Sequence, residues 1–254
     1  MLRHIAAILT ATAIAVPAAA EVNIYSSRQP QLIDPILAAF TAETGIETNV
    51  VFLKNGIIER LKAEGKRSPA DIILTTDIAN LSAIVNAGVT QEVSSEVINA
   101  NIPSTYRDPE GNWFGLTMRA RIIYASKVRV AEGELTSYEG LADPKWAGRI
   151  CIRSGLHNYN IALLSAMISH HGEEEAAAWL DGVKANLARK PQGNDRAQIK
   201  AVWAGECDIA IGNTYYMGKM LSDPDQIPWA ESVNLIFPTI GDNGAHINLS
   251  GMAM

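Results

Sequence analysis

The chain has 254 residues, with 27 acidic against 21 basic side chains and a formal net charge of −6 at neutral pH. An acidic chain lacks the excess of positive charge on which binding to nucleic acid depends, so this class of partner is excluded. The length suits either one large domain or two lobes, and it does not decide between them.

The first 20 residues have the pattern of a secretory signal peptide. Arg3 precedes an apolar run over residues 5–16, and the small residues that a signal peptidase needs end at Ala20. The apolar run is too short to remain as a membrane-spanning helix, and nothing after Ala20 resembles a second hydrophobic span. We therefore expect cleavage after Ala20 and an exported chain that does not span the membrane.

Export places the chain's two cysteines, Cys151 and Cys207, in an oxidising compartment. Each lies at or beside a predicted buried strand. The sequence permits a disulfide and equally permits two buried thiols, because it does not reveal the distance between the two Cα atoms.

The region before residue 103 alternates short apolar strands with amphipathic helices, which is typical of a parallel sheet covered on both faces. Apolar residues at helical spacing indicate helices, and β-branched runs indicate strands. The predicted strands are 22–25, 48–52 and 72–74, and the predicted helices are 31–44, a segment around Ile57 to Leu61, and 78–87.

Polar turn residues over 103–111 indicate a boundary between lobes, with short strands predicted at 113–116 and 122–125 on either side of residues 117–121. A second β/α set then begins. Its predicted strands are 149–153 and 208–212, its helices are 160–169, 173–188 and 195–204, and a strand at 233–237 is expected to cross back to the first lobe.

These patterns predict a two-lobe α/β protein: 1–20 as the signal peptide, 21–117 plus 230–254 as lobe 1, and 118–229 as lobe 2. Residues 247–249 have the pattern of a strand that a further helix would normally follow. We therefore expect a chain truncated at its C-terminus, which bears on whether it is functional.

Three tyrosines lie where a predicted strand gives way to a helix. Tyr215 and Tyr216 follow the strand at 208–212, and Tyr159 follows the strand at 149–153. Ligands of parallel α/β sheets bind at this edge, so the three phenols meet if the two strands are neighbours. The alternative is that the tyrosines are ordinary packing or interface residues.

Three converging phenol oxygens favour a hard cation. A tyrosine has a pKa of about 10, so the bound ion must itself displace the protons, and only a strongly polarising ion does so at neutral pH. Fe(III) fits, because three tyrosinates cancel its charge, whereas calcium and magnesium prefer carboxylates and carbonyls. His157 lies two residues before Tyr159 and could support the metal ligands, but the sequence favours a loop histidine satisfied by solvent.

Several motifs together resemble the bacterial periplasmic ferric-iron-binding proteins, the substrate-binding components of iron(III) ABC importers. The resemblance covers essentially all of the chain after residue 20. The motifs are Tyr25-Ser-Ser-Arg28, Leu116-Thr-Met-Arg-Ala-Arg121, Cys151-Ile-Arg-Ser-Gly155 with Tyr159-Asn160, Arg189-Lys-Pro-Gln-Gly193, and Gly212-Asn-Thr-Tyr-Tyr-Met-Gly-Lys219.

The resemblance implies a type II periplasmic-binding-protein fold that closes on Fe(III), and delivery of the iron to an inner-membrane ABC permease by a monomer. Tyr159, Tyr215 and Tyr216 match the iron-ligating tyrosines of the family's second lobe. Many relatives also carry a His and a Tyr after the first motif, where this chain has Gln29 and Pro30. The first lobe is therefore expected to supply no direct bond to iron.

The open coordination positions imply an exogenous anion such as carbonate, or water. A guanidinium suits a planar oxyanion, so Arg28 and Arg119 are the candidate anion-binding residues, with Thr117 and Gln29 as further donors. Arg121 is the alternative to Arg119, because residues two apart on a strand point to the same face.

Two other functions compete with iron binding. The same two-lobe fold can bind an organic or inorganic anion directly, through Arg28 and Arg119, without iron. An enzyme is the other class, but the sequence has no nucleophile elbow, metalloprotease motif or paired-carboxylate loop. We therefore expect a binding protein and not an enzyme.

Overall fold

The computed structural model describes residues 21–254. The predicted signal peptide at residues 1–20 lies outside this range. No helix in the described range is long and apolar enough to cross a membrane.

The described chain alternates strands and helices. The strands are β1 Glu21–Ser26, β2 Glu47–Phe52, β3 Ile72–Thr75, β4 Phe114–Ser126, β5 Ile150–Cys151, β6 Ile209–Asn213, β7 Val233–Ile236 and β8 Ile247–Ala253. The α-helices are α1 Pro30–Thr44, α2 Ile57–Glu64, α3 Ile78–Asn86, α4 Glu96–Asn101, α5 Asn158–His171, α6 Glu173–Ala185, α7 Asp195–Trp203, α8 Tyr215–Leu221 and α9 Ile227–Glu231.

The first half-sheet contains β2, β1, β3, β8 and the beginning of β4, in that order. β1 pairs in parallel with β2 and with β3, as the alternating pattern predicts. Proline at the start of α1 and Gly45 in a left-handed conformation (φ 71°) after it set the limits of that helix. Only Ile33 of α1 is buried, whereas Leu32, Ile36 and Phe40 remain exposed.

β4 is one strand of 13 residues, where the sequence predicted two strands separated by 117–121. Its beginning pairs antiparallel with β8 as far as Ala120. From Arg121 onward it pairs antiparallel with β6. Residues 117–121 therefore continue the strand, and the side chains of Arg119 and Arg121 lie next to the candidate site described below.

The second half-sheet contains the end of β4, with β6 and β5 on one side and β7 on the other. β5 and β6 are parallel neighbours. The strand predicted at 233–237 exists, but it pairs with Ile123–Ser126 of β4 and stays in the second half-sheet. The return to the first half-sheet is made by β8. The predicted lobe boundaries themselves remain a prediction.

Two buried clusters fill the two faces of the second half-sheet. One includes the fully buried Trp146 and Tyr138 with α5 and α6 residues. The other packs Ile199 and Val202 of α7 against Ile122 and Ala210. A smaller cluster in the first half-sheet includes Tyr25, Ile73 and Ile84. The edge of the second half-sheet that carries the candidate site is therefore supported by a packed core.

Cys151 and Cys207 form a disulfide, which resolves the alternative that the sequence left open. Their Cα atoms are 5.9 Å apart, and the bridge closes a loop of 56 residues in sequence separation. Both cysteines are almost fully buried in the second half-sheet. The bond joins β5 to the residue that precedes β6 by two positions.

We predict that the variant Cys151→Ala with Cys207→Ala loses about 2–4 kcal/mol of unfolding free energy, because the bridge no longer restricts a long loop of the unfolded chain. Urea denaturation monitored by circular dichroism measures the loss. Reductant should lower the stability of the wild type and leave the double variant unchanged. Equal stability of the oxidised wild type and the double variant contradicts the prediction.

Candidate metal centre

Parallel pairing of β5 and β6 brings the tyrosine-bearing turns together. Ile150 pairs with Ile209, and Cys151 pairs with Ala210. The carboxyl ends of parallel strands lie at the same edge of a sheet. Tyr159 in the first turn of α5 and Tyr215 at the start of α8 therefore face each other across this edge.

The turn between β6 and α8 is held by backbone contacts on two sides. The hydroxyl of the buried Tyr124 donates to the carbonyl of Asn213 at 2.7 Å. Thr214 donates its backbone N–H to Ala120 of β4 at 3.0 Å, and its hydroxyl accepts from the N–H of the same residue at 3.3 Å. The start of α8 is thus tied to β4, which fixes where the two tyrosines begin.

His157 has a structural role that the sequence did not predict. Its Nδ1 accepts a hydrogen bond from the backbone N–H of Tyr159 at 3.2 Å, so it caps the N-terminus of α5. Its ring also meets the Tyr159 ring edge-on, with centroids 4.4 Å apart. Burial lowers the pKa of His157, and nearby Arg153 adds to this effect. The expectation of a loop histidine satisfied by solvent was wrong.

The hydroxyl oxygens of Tyr159 and Tyr215 are 3.2 Å apart, at hydrogen-bond distance. The rings of Tyr215 and Tyr216 stack at a tilt, with centroids 4.4 Å apart. Burial raises the pKa of Tyr159 and of Tyr215 to about 12, and it raises the pKa of Tyr216 as well. The structure therefore brings all three predicted residues into one cluster of protonated phenols.

Arg119 approaches Tyr159 from the first half-sheet, and Arg28 is linked through Ser250 to the Thr76 carbonyl that Arg119 also bonds. The Arg119 guanidinium carbon is 5.8 Å from the Tyr159 ring centroid, and Nη1 donates to the Thr76 carbonyl at 2.5 Å. Arg28 Nη1 donates to the Ser250 hydroxyl at 2.7 Å, and that hydroxyl donates in turn to the Thr76 carbonyl. Burial lowers the pKa of Arg119, against the opposing effect of Tyr159.

The two remaining predicted residues lie on the same side as the arginines. Thr117 is opposite Ser250 in the pairing of β4 with β8, and directly opposed residues share a face of the sheet. Gln29 adjoins Arg28, and its Oε1 accepts a hydrogen bond from Gln31 at 2.6 Å. Among the described residues, neither side chain hydrogen-bonds a tyrosine.

Arg121, the sequence's alternative to Arg119, is buried and committed to other side chains. It is 2 % exposed and donates to Asp195 and Asn213 through Nη1, and to Asn160 through Nη2. Its guanidinium still lies 5.7 Å from the Tyr159 ring centroid. Arg119 is therefore the better candidate for contact with a ligand.

A small cavity behind Tyr159 includes residues that the sequence analysis did not use. The cavity is lined by His246, which precedes β8, and by Asn248 of β8. Arg119, Arg121 and Asn213 complete this part of the lining. Burial lowers the pKa of His246 to about 4, and the two arginines reinforce the effect. The position of His246 between the half-sheets depends on a long-range pairing that a sequence pattern does not reveal.

No group of three or more His, Cys, Asp or Glu side chains suitable for a metal ion occurs within residues 21–254. The tyrosine cluster is thus the candidate donor set in the part of the chain that the structure describes. Its oxygens suit a hard, strongly polarising cation rather than a soft one.

Comparison with known proteins agrees with this geometry. The sequence model of the family described as bacterial extracellular solute-binding proteins matches residues 67–249. The chain belongs to this family. The solute-binding protein is 46 % identical over 237 residues to iron uptake protein A1 of Synechocystis, covering 92 % of this chain and 66 % of the relative. It therefore spans just under two thirds of that relative's length.

Solved structures similar to this solute-binding protein include ferric-binding proteins. An open form of ferric iron-binding protein A from Mannheimia haemolytica has a TM-score of 0.85 and 50 % identity, over 92 % of this chain and 74 % of that one. A Trichodesmium protein in complex with iron and citrate ligands has a TM-score of 0.84 and 41 % identity, over 92 % and 75 %. The predicted type II periplasmic-binding-protein fold and the resemblance to ferric-binding proteins are confirmed.

We predict that Gly212→Ala destabilises the solute-binding protein by about 1–3 kcal/mol, because the added Cβ meets the Tyr124 ring at 2.8 Å. Gly218→Ala is the matched control, since nothing lies within 4 Å of its Cβ on α8. That change should be neutral or stabilising by up to about 1 kcal/mol. Urea denaturation compares the two variants, and equal losses contradict the packing argument.

Proposed function

We propose that this solute-binding protein binds Fe(III) through the phenol oxygens of Tyr159, Tyr215 and Tyr216 and delivers it to an ABC permease for iron uptake. The observation that carries the proposal is the 3.2 Å approach of the Tyr159 and Tyr215 hydroxyls, with Tyr216 stacked beside them. Relatives of this chain are named for iron uptake and ferric iron binding.

Charge balance favours Fe(III) among hard cations. Each phenol loses one proton on binding, so three tyrosinates cancel the charge of the ion. The pKa of about 12 for Tyr159 and Tyr215 keeps both protonated at neutral pH before iron arrives. Only an ion that polarises its ligands strongly displaces these protons, and calcium and magnesium do not.

An anion completes the coordination from the side of the first half-sheet. Arg28 and Arg119 each use one nitrogen for a protein contact in the structure, and each guanidinium has further N–H donors. They supply a positively charged face opposite the tyrosines that suits carbonate or a similar planar oxyanion. Thr117 and Gln29 contribute further hydrogen bonds to the anion.

The leader sequence and the family support a proposal for the place and partner of binding. A signal peptide at residues 1–20 directs the chain to the periplasm, where it acts as a monomer. The permease of the inner membrane receives the iron. The chain acts by binding and release, without catalysis.

A second candidate function is direct binding of an anion without iron. The paired arginines around the Thr76 carbonyl favour it, as does the absence of a ligand at Gln29 and Pro30. This function requires the anion to bind equally well with and without iron. Binding of radiolabelled bicarbonate to the purified protein distinguishes the two functions. Binding that depends on iron supports the iron proposal, and binding that does not depend on iron supports direct anion binding.

Titration of the iron-free protein with ferric citrate tests the iron proposal. We expect a visible tyrosinate-to-iron charge-transfer band. Tyr215→Phe and Tyr216→Phe should each weaken binding by more than about tenfold, a free-energy loss of over about 1.4 kcal/mol. Tyr106→Phe, in a short helical turn before β4, is the matched control and should bind like the wild type. No band with bicarbonate or without it overturns the proposal.

Proton release counts the tyrosines that bind iron. Since each phenol is protonated at neutral pH and binds as tyrosinate, we expect the tyrosines to release about three protons per iron in the wild type and about two in Tyr216→Phe, with one further proton in both proteins where bicarbonate binds as carbonate. A pH-stat measures the release after subtraction of the value for ferric citrate alone. Lower pH should weaken binding, because protons compete with the ion. Equal release by the two proteins removes Tyr216 from the ligand set.

A further inference from the structure

Asp195 is a fully buried carboxylate close behind the tyrosine cluster. It is 0 % exposed, yet it is not one of the proposed ligands. Its Oδ2 accepts a hydrogen bond from Arg121 Nη1 at 2.5 Å, and its Oδ1 accepts one from Arg153 Nη1 at 3.1 Å. The backbone N–H of Asn213 donates to it as well, at 3.1 Å. One side chain thus holds the buried Arg121, the partly buried Arg153 and one backbone group.

These three partners come from the three segments that meet at the site. Arg121 lies on β4, Arg153 lies in the loop before α5, and Asn213 ends β6 two residues before Tyr215. Arg121 extends the network to Oδ1 of Asn160 at 2.7 Å, next to Tyr159. The two tyrosine-bearing turns are therefore connected through a single carboxylate.

The Arg189-Lys-Pro-Gln-Gly193 motif positions this carboxylate. Asn194 caps α7 by accepting from the N–H of Ala197 at 3.1 Å, which places Asp195 in the first helical turn. The buried Gln198 donates to the carbonyls of Asn194 and Gln192. Arg189 Nη2 donates in turn to Gln198 at 3.2 Å. The contacts of the motif therefore end at Gln198, whose hydrogen bond to Asn194 holds the residue that precedes Asp195.

We infer that Asp195 is a positioning residue that sets the separation of the Tyr159 and Tyr215 hydroxyls and thereby the affinity of the site. The part of this inference that concerns affinity rests on the proposed binding of iron. The part that concerns the separation of the two hydroxyls does not. A carboxylate can hold both turns because it accepts from two arginines and a backbone N–H at once, which an amide cannot do.

Charge and position predict different effects when Asp195 is replaced. The negative charge of Asp195 opposes the formation of tyrosinate at Tyr159 and Tyr216. The same charge attracts Fe(III), and three tyrosinates cancel the charge of the ion, so loss of the Asp195 charge alone should change the affinity for iron little. Loss of the positioning contacts would separate the tyrosines and weaken iron binding. Clearly weaker binding therefore indicates the positioning role.

The test compares Asp195→Asn with Asp208→Asn. Asp208 is a matched control, because it also bridges two arginines, Arg129 and Arg149, but lies at the far end of β6 from the tyrosines. For Asp195→Asn we expect ferric citrate binding to weaken by about 10–100-fold, and for Asp208→Asn by less than about twofold. Unchanged or tighter binding by a folded Asp195→Asn protein overturns the inference.

Crystal structures of the iron-free proteins supply a measurement that does not depend on iron. In Asp195→Asn the two hydroxyls should move beyond hydrogen-bond distance, whereas Asp208→Asn should retain the wild-type separation. An unchanged separation in Asp195→Asn overturns the inference. If the wild type fails to bind iron, the proposed function fails while this comparison still decides the role of Asp195.

Asn160→Ala serves if thermal melting shows that Asp195→Asn is unfolded. Asn160 is uncharged, and its Nδ2 donates to the carbonyls of Arg153 and Ser154, each at 3.1 Å. Its loss releases the turn before α5 from Arg121 without changing any charge. Wider separation of the hydroxyls supports the inference, and an unchanged separation contradicts it.

Discussion

The parallel pairing of β5 with β6 is the constraint on which the candidate site depends. Only two residues of β5 take part, yet they place the first turn of α5 beside the first turn of α8. The disulfide joins the same two segments, from the last residue of β5 to a residue two positions before β6, and Cys151 precedes Tyr159 by the same number of residues as Cys207 precedes Tyr215. A covalent bond and a hydrogen-bonded ladder thus hold together the two segments that lead to the tyrosine-bearing turns.

Positive charge surrounds the tyrosines unequally. Arg121 and Arg153 lie within 6 Å of the Tyr159 ring and share one carboxylate, Asp195, which offsets one of their two charges. Arg119 lies at a similar distance and bonds only a backbone carbonyl among the described residues. The arginine without a carboxylate partner therefore comes from the first half-sheet. This asymmetry suits a cation held by tyrosinates on one side and an anion held by guanidinium groups on the other.

Local patterns predicted the fold well where a strand or helix was apolar and regular. The parallel pairing of the first three strands and the position of the tyrosines at strand ends both followed from the sequence. β4 was divided in two because Thr117, Arg119 and Arg121 interrupt the apolar residues in the middle of the strand. Asp195 and Arg121 are 74 residues apart, so their pairing left no local signal. The short helices α4 and α9 were missed for lack of a repeating apolar pattern.

β4 changes its pairing partner from β8 to β6 along its length, and this change determines where the sheet can bend. Up to Ala120 the strand is bonded to β8, and from Arg121 it is bonded to β6, so adjacent residues belong to different halves of the sheet. Any rotation of one half against the other must bend the strand at this point. Arg119 would then travel with the first half-sheet and Arg121 with the second, which draws Arg119 away from Tyr159 while the buried network stays in place. A bend in β4 would thus couple rotation of the two half-sheets to the positive charge beside Tyr159.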